Sequence, residues 1–157
     1  KVHYPLAFYS VYFTARADAF DVEAASGGEE RVLKNIKAIA AKGKAAEQKE
    51  QDLMSILEVV YEMNRRGIAL LGIDLYKSHA TKFLIEDGAL RPPLSSIAGV
   101  GMSAAEGIGA SRDGAPFTSV EDFRTRTKAN SGVVEKLRAL GCFEGMPESN
   151  QLTLFTM

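Results

Sequence analysis

Residues 92–112 read PPLSSIAGVGMSAAEGIGASR, a glycine-rich turn followed by residues that favour a helix. Gly99 and Gly101 flank Val100, whose side chain we expect to face inward and anchor the turn. A turn of this kind before a helix presents unpaired backbone N–H groups at the positive end of the helix dipole, which suits a phosphate. Glycine is needed in such a turn because a Cβ atom would hold the phosphate away from the amides.

Three interpretations of this turn are open. The first is an ordinary turn that binds nothing. The second is a dinucleotide site, because GVGMSA fits the G-x-G-x-x-G/A fingerprint, but that fingerprint must follow a buried strand and open a βαβ unit. Here it follows two prolines and a short polar segment, and no parallel-strand pattern comes afterwards. The third is a helix-hairpin-helix DNA-binding element, whose apolar-x-Gly-apolar-Gly pattern is matched by IAGVG.

A second, weaker copy of the element favours the third interpretation, since two such elements normally pack together so that each touches one strand of a duplex. Residues 121–141, EDFRTRTKANSGVVEKLRALG, offer a helix, a polar turn and a helix, although TKANSG lacks the Gly-x-Gly core. From position 124 to 138 the one acid is Glu135, and the basic residues are Arg124, Arg126, Lys128, Lys136 and Arg138. A basic run at the turn favours contacts to phosphates, which read no base sequence and weaken with salt.

The composition narrows the class of protein. The 157 residues carry a net charge of −1, so nucleic-acid binding would need a local patch or backbone donors. No apolar stretch reaches the roughly 18 residues that cross a bilayer, and no signal-peptide pattern opens the chain, so no membrane partner is expected. The single cysteine, Cys142, indicates a reducing cytoplasm. The start at Lys1, without a methionine, suggests a fragment of a longer protein.

The remaining pattern predicts a mainly α fold with one small β-hairpin, an α+β fold. Pro5 suits the first turn of a helix that is apolar on nearly every side, with packing partners partly outside the chain. Helical spacing predicts two more helices over residues 29–42 and 46–66, the second capped by Gly67. The stretch FLIEDGALRPP predicts a hairpin with its turn at residues 87–88.

Three short helices are expected after the prolines, and the chain then loosens. The first helix is MSAAEGIGASR. The second, TSVEDFRTR, has Thr118 and Glu121 in capping-box spacing. The third, SGVVEKLRALG, has Ser131 as its N-cap and Gly141 as its stop. The following EGMPESN has the composition of a linker.

The tail contains QLTLF, residues 151–155, where an exposed chain is expected to be polar. Apolar residues at alternating positions of an exposed tail cost free energy unless a partner covers them. An extended peptide with a glutamine, leucines and an aromatic suits a preformed apolar groove. A tail that folds back onto its own domain is the alternative that composition alone leaves open.

QLTLF resembles the clamp-binding pentapeptide, Gln-Leu-x-Leu-Phe, of bacterial replication and repair proteins. The chain as a whole resembles the C-terminal portion of the PolC-type replicative DNA polymerases, the DNA polymerase III alpha chains of Gram-positive bacteria. The matching stretches keep their order across essentially the whole chain; they are KVHYPLAFYSVYFTARADAFD, IDLYKSHATKF, LRPPLSSIAGVG and NQLTLF.

The resemblance implies three regions and a set of contacts. Residues 1–90 would be the distal part of the polymerase fingers, residues 91–146 a tandem helix-hairpin-helix domain that binds duplex DNA, and residues 147–157 a linker with the clamp-binding peptide. The DNA-contacting residues would be Gly99, Val100 and Gly101, with weaker assignments at Lys128, Asn130 and Ser131, where the glycine pattern is missing. The clamp contacts would be Gln151, Leu152, Leu154 and Phe155.

The resemblance also implies the reaction, which is template-directed DNA synthesis with magnesium ions and deoxynucleoside triphosphates. Two-metal chemistry needs carboxylates around a pair of ions about 4 Å apart. The family supplies them from a palm domain, and no Asp-x-Asp spacing occurs here, so we expect this segment to hold no catalytic or metal residues and to position and tether instead. The alternative is a helix-hairpin-helix module of a clamp-associated DNA repair or recombination protein.

Overall fold

The computed structural model describes residues 3–150, which form seven α-helices and one two-stranded antiparallel sheet. The fold is therefore mainly α with a small hairpin, as the sequence predicts. Short 3₁₀ helices lie at Ala17–Ala19, Gly43–Ala45 and Leu94–Ser96. In chain order the elements are α1 Pro5–Thr14, α2 Val22–Ala25, α3 Glu29–Ala40, α4 Gln48–Arg65, β1 Leu84–Glu86, β2 Ala89–Arg91, α5 Met102–Arg112, α6 Val120–Thr127 and α7 Ser131–Ala139.

Helix α1 is covered by this chain on one side only, and the sequence predicts that its packing partners lie partly outside the chain. Tyr9 and Phe13 are completely buried, and the hydroxyl of Tyr9 donates a hydrogen bond of 2.8 Å to Glu62 on α4. On the other side, Tyr4 and Val11 are 77% and 70% exposed. The first helix therefore packs on this chain through one stripe and leaves an apolar face uncovered within the described residues.

Helices α3 and α4 pack against each other, and α4 supplies the longest apolar stripe. Its buried side chains are Ile56, Leu57, Val60 and Met63, spaced as one helical face requires. A capping box that the sequence analysis missed, Glu47 with Glu50, begins the helix, and Gly67 follows its end with a positive φ of 83°.

The predicted hairpin is present, with Ile85 opposite Leu90. Asp87 and Gly88 both have positive φ, 51° and 78°, which gives a two-residue turn whose twist matches that of the strands. The hairpin packs on α1, because Ser10 donates to the carbonyl of Phe83 and the Phe83 amide donates to Thr14.

One hydrophobic cluster runs through the described chain, from Tyr9 on α1 to Phe143 after α7. It includes residues on both sides of Pro92 and Pro93, the place of the expected domain boundary. Within it, Phe123 stacks edge-on between Phe117 and Phe143, with ring centroids 5.0 and 5.1 Å away. The boundary at residue 91 stays a prediction, and the two sides of it share a core.

Two predicted helix caps are wrong by one residue. Ser119, not Thr118, caps α6, with its Oγ accepting from the Asp122 amide at 2.9 Å, and Asp122 accepts in return from the Thr118 amide. Asn130, not Ser131, caps α7. Ser, Thr, Asn and Asp have similar cap preferences, so the backbone decides: Ser119 and Asn130 have the extended conformation that an N-cap needs.

None of the helices described between residues 3 and 150 is long and apolar enough to span a membrane.

Candidate nucleic-acid interface

The first turn, residues 99–101, connects the short 3₁₀ helix to α5. Val100 is 4% exposed, as expected of an anchor, and its amide donates to the carbonyl of Ile97 at 3.0 Å. Gly99 has a φ of 89°, and Gly101 is the N-cap of α5 with φ and ψ of −74° and 169°. The Val100 amide is therefore engaged, and the donors that the turn offers to a ligand lie on either side of it.

Helix α5 begins without a side-chain cap, because its N-cap is a glycine. Within residues 3–150, the amides of Met102, Ser103 and Ala104 donate no hydrogen bond. Unpaired amides at the start of an 11-residue helix carry the positive end of its dipole. This end of α5 therefore suits an anion that bonds several amides at once.

Glycine occurs at positions 99 and 101 of the first turn for different physical reasons. Gly99 is required by its backbone, since a side chain at φ 89° would be strained, and a Cβ there would lie 3.1 Å from Cε of Lys136. Gly101 has an ordinary φ, and no atom of the described chain lies within 4 Å of where its Cβ would be. Neither backbone strain nor packing within the described chain therefore explains a glycine at position 101. Close approach of a ligand to the backbone is an explanation that fits.

The second turn, residues 128–130, resembles the first at its first and third residues, without the glycines. Lys128 has the left-handed conformation, with φ 59° and ψ 26°, where the first turn has Gly99. Asn130 is an N-cap with φ −76° and ψ 169°, within 2° of Gly101. The chain thus contains two similar turns, each followed by a helix, although the second lacks the Gly-x-Gly pattern.

The second turn supplies its own hydrogen-bond acceptor for an amide at the start of α7. Oδ1 of Asn130 accepts from the Val133 amide at 2.9 Å, and the Ala129 amide donates to Thr127 Oγ1 at 3.2 Å. Ser131, expected as a cap and as a DNA contact, is instead the exposed first residue of α7. Fewer backbone donors are thus open at this turn than at the first.

A groove of about 620 Å³ lies between α6 and α7 beside the second turn, and it carries charges of both signs. Its basic lining residues are Arg124, Lys128 and Arg138, and its acidic ones are Glu121, Glu135 and Glu148. Glu148 pairs with Arg138, and this hydrogen bond lowers the pKa of Glu148 from its ordinary value. An incoming phosphate would therefore meet a carboxylate that already occupies the Arg138 guanidinium.

The basic run of the sequence divides into engaged and available groups. Arg126 donates to the carbonyls of Ser111 and Ala115, pairs with Asp122 at 3.3 Å and lies over the Phe117 ring. Arg138 pairs with Glu135 as well as Glu148. In the part of the chain that the structure describes, no ion pair involves the other three basic residues, Arg124, Lys128 and Lys136.

A pocket of about 380 Å³ borders the first turn on the side of the N-terminal helices. Its charged lining residues are Asp18, Asp21 and Lys49, and Asp21 also caps α2 by accepting from the Glu23 amide. Ser95 lines the same pocket; its Oγ is buried and has no hydrogen-bond partner within residues 3–150. The aspartates make this side of the turn less favourable for an anion than the side that faces α7.

Two other titratable side chains, His79 and Cys142, are held by the local structure. Nδ1 of His79 accepts from the amides of Thr81 and Lys82 at 3.0 and 3.1 Å and so closes a tight turn. Burial raises the pKa of the Cys142 thiol to about 11, which keeps it protonated and unreactive at neutral pH. Among residues 3–150, no three His, Cys, Asp or Glu side chains come together as metal ligands would.

The predicted clamp contacts, Gln151, Leu152, Leu154 and Phe155, lie outside the described residues. The residues just before them are held in place, although the sequence predicts a linker. The carbonyls of Pro147 and Glu148 accept from the amides of Val120 and Glu121, the first two residues of α6. Asn150 donates to Thr118. The linker composition gave no signal of this contact.

Comparison with known proteins agrees with this geometry. The family model described as helix-hairpin-helix motif matches residues 67–152. Proteins named DNA polymerase III PolC-type align over 155 residues, with 50% identity in Caldanaerobacter subterraneus subsp. tengcongensis, 48% in Clostridium perfringens and 46% in Halalkalibacterium halodurans. Each alignment covers 99% of this chain and 11% of the relative, so the chain spans about a ninth of the length of these relatives.

The family match covers more than half of the chain and contains both turns. The resemblance to PolC-type polymerases is confirmed along almost the whole chain. The chain therefore belongs to the helix-hairpin-helix family, in a segment that it shares with proteins named DNA polymerase III PolC-type.

Proposed function

We propose that the chain is a segment of a DNA-directed DNA polymerase that holds duplex DNA through its phosphates. The observation that carries the proposal is the open start of α5, where a glycine N-cap leaves three helix amides without an acceptor within the described residues. Helix starts of this kind bind phosphates, and binding through backbone donors is independent of base sequence. The names of the relatives support polymerase as the parent activity in preference to the repair-module alternative.

The tail has a second role in this proposal. Gln151, Leu152, Leu154 and Phe155 would bind an apolar groove of the sliding clamp and keep the enzyme on DNA. The docking of Pro147 and Glu148 on α6 supports a fixed starting point for this peptide beside the second turn. Magnesium ions and deoxynucleoside triphosphates would be handled by other parts of the polymerase, in the cytoplasm.

Fluorescence anisotropy with labelled duplexes tests the DNA-binding part. The 157-residue chain should bind duplexes of unrelated sequence with the same affinity, and the logarithm of the binding constant should fall by about 0.9 for each phosphate held as log salt rises. Affinity that depends on base sequence, or that is insensitive to salt, would contradict binding through phosphates.

The tail is tested by deletion of residues 151–157. The shortened chain should no longer bind a purified bacterial sliding clamp in surface plasmon resonance, while its affinity for bare duplex stays the same. The variant Leu152→Ala with Phe155→Ala tests the same clamp contacts without shortening the 157-residue chain. Equal loss of clamp and duplex binding after deletion would show that the tail is part of the fold.

A further inference from the structure

We propose that Lys136 of α7 holds the same DNA phosphate as the amides of the first turn, so that a helix of the second element completes the binding site of the first. This inference rests on the proposed phosphate binding at α5. It concerns one side chain that the sequence places in the second element, 37 positions after Gly99.

The carrying observation is the position of the Lys136 side chain over Gly99. A Cβ atom at Gly99 would lie 3.1 Å from Cε of Lys136 and 3.6 Å from its Nζ. The ammonium group therefore lies beside Gly99 of the first turn. Lys136 does not line the groove between α6 and α7. The lining residues of that groove include Arg124, Lys128 and Arg138.

The charge of Lys136 is available for a ligand. Within residues 3–150, no carboxylate lies in ion-pair range of its Nζ, whereas Arg138, two residues on, pairs with Glu135 and Glu148. The side chain is half-buried, because its stem rests on Gly99, while Lys128 and Arg124 are exposed. A cation whose stem is already held loses less conformational entropy on binding than a free one.

The first turn offers the complementary donors. The amides of Met102, Ser103 and Ala104 donate no hydrogen bond within the described chain. Asp18 and Asp21 line the pocket on the other side of the turn, so a phosphate is favoured on the side of α7, where Lys136 lies. Amides and an ammonium around one phosphate give charge-assisted hydrogen bonds from two helices.

The test compares three lysine-to-methionine variants in the 157-residue chain. Lys136→Met keeps the stem over Gly99 and removes only the charge. Lys128→Met does the same at the second turn, and Lys37→Met on α3 is the matched control. Lys136→Met should weaken duplex binding about tenfold and reduce the salt slope by about 1. Lys136→Arg, which keeps the positive charge, should retain most of the affinity.

A double-mutant cycle locates the contact. If Lys136 and the first turn hold one phosphate, adding Lys136→Met to Gly101→Val should cost much less than Lys136→Met costs alone. Added to Lys128→Met, it should cost its full tenfold. Thermal melts of each variant check that the fold is intact.

Several results would overturn the inference while leaving the proposed function in place. One is Lys136→Met binding duplex as tightly as Lys37→Met, and another is a loss from Lys136→Met that is as large in the Gly101→Val background as in the unmodified chain. Loss of binding in Lys136→Arg equal to that in Lys136→Met would also overturn it. Failure of the unmodified chain to bind duplex would instead remove the proposed function, and this inference with it.

Discussion

The turns at residues 99–101 and 128–130 bring the chain into their helices with nearly the same backbone, since φ and ψ agree within 2° at Gly101 and Asn130. They differ in what satisfies the helix start. Asn130 caps α7 with its own side chain, whereas Gly101 leaves the first amides of α5 open. Glycine at position 101 is thus unnecessary for the backbone of the turn, unlike Gly99, and its consequence is an open set of donors.

The same comparison extends to charge. The groove at the second turn contains carboxylates, one of which occupies Arg138, while the first turn receives the unpaired Lys136 from α7. A phosphate at the first turn therefore meets free donors, and one at the second competes with groups of the protein. We expect the first turn to dominate duplex binding.

The largest expected effect comes from closing the first turn. Gly99→Val with Gly101→Val should weaken duplex binding about a hundredfold on all sequences alike, equivalent to about 2.8 kcal/mol, because the phosphate is kept from the amides. Anisotropy titrations measure it. Gly101→Val alone avoids the strain at Gly99 and should cause most of the loss. Gly107→Ala within α5 is the control. If the control and Gly101→Val bound duplex equally well, the first turn would not be the main phosphate-binding turn.

Removing the cap of the second turn should affect stability more than binding. Asn130→Ala should lower the free energy of unfolding by about 1 kcal/mol in urea denaturation, because the Val133 amide loses its acceptor. Ser131→Ala, one residue on, should leave stability unchanged. A larger loss at Ser131 would show that the cap lies where the sequence alone predicts it.

Lys128→Gly should change stability and affinity in opposite directions. Glycine relieves the left-handed backbone at φ 59°, so the free energy of unfolding should rise by about 0.5 kcal/mol. If Lys128 contacts a phosphate, the salt slope of duplex binding should fall by about 1. An unchanged slope would leave the second turn with no part in phosphate binding.

The smallest effect is expected at Glu148. Glu148→Gln removes a carboxylate from the groove and leaves Arg138 paired with Glu135 alone, so duplex affinity should rise only slightly, as expected for an exposed ion pair. Glu58→Gln on α4 makes the same charge change away from both turns. A rise shared by the two variants would reflect net charge rather than the groove.

Local signals made much of the fold predictable. The spacing of apolar residues locates α3 and α4, and the Asp87-Gly88 pair locates the hairpin, because both depend on residues close in sequence. The caps of α6 and α7 were each misplaced by one residue, since neighbouring Ser, Thr and Asn residues are nearly equivalent until the backbone selects one.

The candidate site was less predictable than the fold. Two of the five basic residues, Arg126 and Arg138, are used inside the protein, which a count of charges cannot tell. The docking of residues 147–150 on α6 was missed because their composition is that of a linker.

The sequence by itself was enough to predict the glycine turn, the inward side chain of Val100 and a second turn downstream. These features follow from backbone allowances and apolar periodicity, which are local properties. The reach of Lys136 to Gly99, the engagement of Arg126 and the half-covered α1 came from packing in three dimensions. Such contacts join residues far apart in the chain, and their free energy depends on distances that no local pattern encodes.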